Sequence, residues 1–119
     1  MVNLCYTIPM SHEQLPSRAE QIAKLNDEFR QAGPTHDWLM TQGAAALPDT
    51  IGLVQAIMTF DNFTEDNDPY KERDFCNFLW ADNKVYAKID YYDQALQMGL
   101  DPLDPDCRRV MTILLASEY

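Results

Sequence analysis

Carboxylates are the chemically active material of this chain, and they concentrate between Asp61 and Asp74, where six of fourteen residues are acidic. Glu65, Asp66, Asp68, Glu72 and Asp74 offer oxygens for two kinds of chemistry. Hard cations take such oxygens as ligands, and Asp66, Asp68 and Glu72 are the set an irregular cation site would use. The EF-hand pattern itself is missing, because the stretch has no mid-loop glycine and Pro69 intrudes. Alternatively, carboxylates standing free at a surface imitate phosphates and draw in a basic partner. All five acids would then be partner-binding residues. A structural role competes with both readings: Asp, Asn and Pro build turns, with Phe63 and Tyr70 to anchor them in a core.

Other reactive groups are scattered. His12 and His36 lack the helically spaced Glu or His partner that a zinc site needs. The chain has no phosphate-cradling glycine loop and no Gly-x-Ser-x-Gly elbow. Asp49, Asp82 and Lys84 could be drawn together as a nuclease-like triad, but Asp82-Asn83-Lys84 is what a hairpin turn requires for backbone reasons. Asp90 and Asp93 flank Tyr92 and could pair as acid and base, though a solvated strand face accounts for them more simply. Cys5, Cys76 and Cys107 are odd in number and far apart, which reads as free thiols in a reducing compartment.

The charge balance narrows the partners. Nineteen acidic and nine basic residues among 119 leave a net charge of −10. Such a surface repels nucleic acid, whose binding depends on Lys and Arg neutralising phosphates. A basic protein surface is the natural complement, and no cofactor is implied. The start of the chain lacks the basic and apolar regions of a signal peptide, and no apolar run approaches the about 20 residues a membrane span needs. The expectation is a cytoplasmic protein with no membrane contact.

The elements that position these groups read as one domain, residues 1–119, with 1–15 a loose lead-in holding a short extended piece at 2–8. Ser17 and Glu20 form a capping box, and Ile22, Leu25 and Phe29 follow at helical spacing until Gly33-Pro34, predicting a helix over 18–32. A short strand near 37–42 and a tight connector at 43–46 come next. Pro48 and Asp49 then open a second helix, whose apolar residues from Ile51 to Phe60 run nearly all round and predict burial. Residues 75–92 form a hairpin turning at Asp82-Asn83, with Val85, Ala87, Ile89 and Tyr91 on one side of the second strand. Tyr86, Lys88, Asp90 and Tyr92 occupy the other side and make a secondary candidate surface. Residues 93–106 are a loop. For 107–117 helix and strand compete, and the helical reading is preferred because Met, Leu and Ala favour it. Arg108 and Arg109 are expected to pair with the acidic stretch. The fold class is α+β: a small antiparallel sheet packed on two or three helices, with Ile22, Leu25, Phe29, Ile57, Phe78 and Ile89 lining one core.

Four strings carry a resemblance: Leu25-Asn-Asp-Glu-Phe-Arg30, Phe60-Asp-Asn-Phe-Thr-Glu-Asp-Asn-Asp-Pro-Tyr70, Lys88-Ile-Asp-Tyr-Tyr-Asp93 and Arg109 through Tyr119. With these the chain resembles a family of small bacterial proteins grouped as a domain of unknown function, often encoded near mobile elements of phage or plasmid type. The resemblance implies no established activity. It does imply glycine and histidine where this chain has Lys71 and Arg73, so a family site using that histidine would lack it here. Charge, absent catalytic motifs and the mobile-element setting lead to one functional expectation. The chain is a non-enzymatic, acidic protein-binding module, an inhibitor of a nucleic-acid-handling complex in the manner of anti-CRISPR or anti-restriction DNA mimics. The alternative is a small metal-dependent enzyme or cation-binding domain using the acidic loop.

Overall fold

The computed structural model describes residues 15–119; the extended piece expected at 2–8, with Cys5 and His12, lies outside them. The chain order is α1 (Arg18–Gln31), β1 (Trp38–Met40), α2 (Gln42–Ala45), α3 (Thr50–Met58), β2 (Phe75–Trp80), β3 (Asn83–Tyr92) and β4 (Arg108–Leu115), followed by a 3-10 turn at Ala116–Glu118. The strands form one sheet in the order β1-β4-β3-β2. β2 and β4 run antiparallel to β3, while β1 lies parallel to β4, so the sheet is mixed and mostly antiparallel. The α+β class holds.

The start of α1 follows from its capping box. Ser17 Oγ accepts the Glu20 amide at 3.0 Å, and Glu20 Oε1 accepts the Ser17 amide at 2.7 Å, which satisfies two donors the helix would otherwise orphan. At the other end Gly33, at φ 95°, takes the left-handed conformation that closes a helix at little cost. The buried face of α1 is Ile22, Ala23, Asn26 and Arg30, whereas Leu25, expected in the core, is 37% exposed.

Residues 107–117 are corrected from helix to strand. β4 sits between β1 and β3, and Val110, Met111, Ile113 and Leu114 are all buried. A central strand covered on both faces has no polar side, so its run of apolar residues loses the alternation that identifies a strand. Two smaller corrections concern helices. The 43–46 connector is a single helical turn, α2, capped by Thr41 Oγ1 on the Ala44 amide. In α3 only Leu53 and Ile57 are buried, and Ile51 is 75% exposed, so α3 is a surface helix with a narrow apolar stripe.

The hairpin turns one residue earlier than expected, at Ala81-Asp82, with φ of 50° and 64°. Two consecutive left-handed residues are the type I′ geometry whose twist matches the flanking strands. Asn83 steadies the turn by donating its Nδ2 to the Ala81 carbonyl. Along β3 the alternation is as read: Val85, Ala87 and Ile89 are buried against Ala44, Leu53, Ile57, Met111 and Ile113, and Tyr91 packs beside them. The polar loop 93–107 uses its own acids as caps, Asp93, Asp101 and Asp104 accepting the amides of Gln97, Leu103 and Asp106. No helix among the described residues is long and apolar enough to cross a membrane.

Candidate partner-binding surface

Between α3 and β2 the acidic stretch folds as a loop tied at three points. Asn67 bridges its start, accepting the Thr64 amide and donating to the Asn62 carbonyl and to Asn77 of β2. Asp68, only 7% exposed, accepts the amides of Glu72 and Arg73 through one oxygen, at 3.0 Å each. The return leg then passes through left-handed Lys71 and Arg73, φ 61° and 55°, a conformation costly for side chains with a Cβ. The third tie is Arg73 itself, whose Nε donates to Asp27 of α1 at 2.9 Å while its guanidinium lies 4.2 Å from the Phe63 ring centre.

Beneath that contact lies a group that sequence reasoning missed. Arg30 is fully buried, donates Nη2 to Asp27 at 2.9 Å and to the Phe60 carbonyl at 3.3 Å, and faces Phe63 from 5.3 Å. Its Nε and Nη1 find no partner among the described residues. Asn26, also fully buried, donates to the Glu72 carbonyl and the Tyr91 hydroxyl and accepts from Arg109 Nε at 2.7 Å. The signal was present: Asn26 and Arg30 follow Ile22 at i+4 and i+8, on the apolar side of α1.

The expected acidic group therefore divides. Glu65 and Asp66 are exposed; Glu72 and Asp74 are half-buried; Asp68 is turned inward as a backbone cap. Burial raises the Glu72 carboxyl above its ordinary range, and the nearby charges of Asp74, Asp68 and Asp101 add to this against the opposing pull of Arg18. Asp74 is raised too, first by burial and then by Asp68 and Asp90, although a 3.4 Å hydrogen bond from the Tyr91 hydroxyl works the other way. Tyr91 is pushed up in turn by its burial. Of the two proposed aromatic anchors Phe63 packs on the core, edge-on to Phe60 at 4.9 Å, but Tyr70 is 79% exposed and anchors nothing.

The other candidates resolve into local roles. Arg108 and Arg109 do not meet the acidic stretch as expected: Arg108 forks onto Asp37, holding that carboxyl below its usual range, and Arg109 is committed to Asn26 and the Pro102 carbonyl. Asp49 caps α3 through the Gly52 amide, and Asp82 sits in the hairpin turn. Asp90 pairs with Lys88 at 2.7 Å, while Asp93 accepts amides of its own loop, so these two do not act together. His36 stands exposed beside Asp37. Cys76 is buried, its thiol pushed up to about 12, and is inert as a nucleophile. Asp66, Asp68 and Glu72 are not gathered as ligands; among the described residues no group of three or more His, Cys, Asp or Glu could hold a metal ion.

Tyr86, Lys88, Asp90 and Tyr92 lie together on the sheet face opposite Val85, Ala87 and Ile89, all half-buried. Tyr86 is flanked by Phe75 at 4.9 Å and by Tyr119 at 5.6 Å.

No curated protein and no solved structure matches the chain. A family match covers residues 40–118, from the last residue of β1 through the closing 3-10 turn, and so includes the whole acidic loop but not the Asp27 and Arg30 that fasten it. The chain belongs to the DUF3768 family, proteins of unknown function.

Proposed function

We propose that this protein is a non-catalytic binding module that engages a basic surface of another protein through the 61–74 loop. One observation carries the reading. The loop's Arg73 is spent inward on Asp27 and Phe63, while Glu65 and Asp66 stay exposed and Glu72 and Asp74 crowd each other, neither in a salt bridge among the described residues and with only the pull of Arg18 on Glu72 to offset it. Lys71 is the one cation this loop leaves exposed. Folding thus spends charge complementarity on holding the loop and leaves its outer edge acidic. An oppositely charged partner would relieve that crowding, and would be steered to it over the screening length of about 8 Å at physiological ionic strength. In its specific form, the partner is a nucleic-acid-handling complex whose basic groove takes these carboxylates in place of phosphates, and the protein inhibits it.

The test is a combined Glu65→Gln, Asp66→Asn, Glu72→Gln and Asp74→Asn variant, leaving the inward-facing Asp68 intact. A partner captured from host extract and identified should bind this variant several orders of magnitude more weakly than wild type, with the far-ultraviolet circular dichroism unchanged. Equal binding by the folded variant would remove the loop from the interface. The aromatic sheet face around Tyr86 and Tyr92 would then be the next surface to test.

A further inference from the structure

A groove of about 450 Å³ runs along the outer side of α1. Pro16, Leu25 and Leu103 give it apolar walls, and Glu20, Lys24 and Glu28 stand along it. Its volume falls within the range of small-ligand pockets, roughly 300–1,000 Å³. Leu25 is the side chain that the helical pattern assigned to the core and that folding instead leaves 37% exposed. Arg18 and Asp101, each two positions along the chain from a residue that lines the groove, form a salt bridge 2.7 Å long. The charges of Arg18 and Asp101 also act on the Glu72 carboxyl, so the start of α1 and the return leg of the acidic loop share one electrostatic neighbourhood.

Resting on the binding-module reading above, we infer that this groove receives an apolar side chain from a basic segment of the same partner. The chemistry follows from the walls. An apolar anchor of leucine or phenylalanine size fills the space between Leu25 and Leu103. Flanking arginines face Glu20 and Glu28 on one side and the acidic loop on the other. Among the described residues that line the groove Lys24 is the one cation, and nearby Arg18 is held by Asp101. Charge brings the segment in, and the anchor fixes its register, the division of labour seen where central apolar contacts are ringed by charged ones.

The experiment uses two short synthetic peptides as probes, one with arginines flanking a central leucine and one with that leucine replaced by serine. Affinities for the full chain are measured by titration while backbone amide resonances are followed. The leucine peptide should bind about tenfold more tightly, the factor expected for burying much of one leucine side chain. The largest shifts should fall at residues 20–28 and 101–103. Leu25→Ser and, independently, Leu103→Ser should each erase the leucine advantage while leaving the serine peptide's affinity unchanged. Both leucines are at least partly exposed, and two separate variants guard against one that misfolds. Equal affinity of the two peptides for wild type, or an advantage that survives both substitutions, overturns the groove and leaves the acidic loop standing. Failure of both peptides to bind at low salt overturns the groove and the binding-module reading together.

Discussion

Asp27 Oδ1 receives two guanidiniums at once, Arg30 Nη2 from its own helix and Arg73 Nε from the acidic loop, each at 2.9 Å. One carboxylate thus neutralises a fully buried cation and fastens the return leg of the loop to α1. The two arginines differ in what they risk. Arg73 is about one-third exposed and can fall back on water, but Arg30 is sealed and cannot.

That asymmetry predicts the first result. Asp27→Ala should cost about 3 kcal/mol or more in urea unfolding, because it strands a buried charge. Arg73→Ala should cost about 1 kcal/mol, as fits a partly exposed pair. Combining Asp27→Ala with Arg30→Met should recover most of the loss, since an apolar pair replaces an unpaired cation. A double variant no more stable than Asp27→Ala alone would show that Arg30 is neutralised by something other than Asp27.

Asp68 is predicted to behave as architecture. Asp68→Ala leaves the Glu72 and Arg73 amides without their acceptor and should lower stability by about 1–3 kcal/mol. Neutralising the exposed Glu65 and Asp66 should change stability by less than about 0.5 kcal/mol. Chemical denaturation separates the two outcomes.

The pH dependence of stability should carry the mark of Asp74. Its folded carboxyl is raised above the ordinary aspartate value of 3.8, chiefly by burial. A raised carboxyl binds its proton more tightly in the folded chain. The stability it contributes is fully present below 3.8 and is lost as pH rises through the folded value. Asp74→Asn should therefore raise the thermal midpoint at neutral pH, and the gain should vanish below the ordinary aspartate range. Asp37, lowered by Arg108, has the opposite sign: its contribution is present above 3.8 and is lost as pH falls through its lower folded value. Asp37→Asn should thus lower the midpoint at neutral pH and matter little in acid.

The hairpin turn offers a gain. Ala81 and Asp82 both occupy left-handed backbone, where Asn and Gly are the preferred pair of a type I′ turn. Ala81→Asn with Asp82→Gly should stabilise by about 0.5–1 kcal/mol with no change in the hairpin's register. A loss would mean that the turn shifts to another geometry when substituted.

What the sequence disclosed depended on whether an element had two different sides. α1 announced itself through Ser17, Glu20 and Gly33 because capping is local, and β3 through an alternation that one buried face enforces. β4 could not be read the same way. Val110 and Leu114 on one face are buried as well as Met111 and Ile113 on the other, which erases the period. The acidic loop was visible as composition but not as structure. Which of its acids turns inward is decided by left-handed backbone at Lys71 and Arg73, residue types that give no warning of it. The buried partners Asn26 and Arg30 were legible only to a reading that asks why polar residues continue an apolar stripe.

The parallel pairing of β1 with β4 has a consequence for synthesis. Trp38 meets Met111 and Met40 meets Ile113 across most of the chain's length, so closing that contact carries the entropy of the whole intervening loop. The β2–β3 hairpin needs only its own turn and can form while the chain is still emerging. β1 has no strand to join until β4 arrives, and β3 has one open edge until then. A chain stalled before Arg108 therefore displays the two strand edges that β4 would cover, one on β1 and one on β3, and the apolar faces of Trp38 and Met40, the kind of surface that recruits other chains into aggregates.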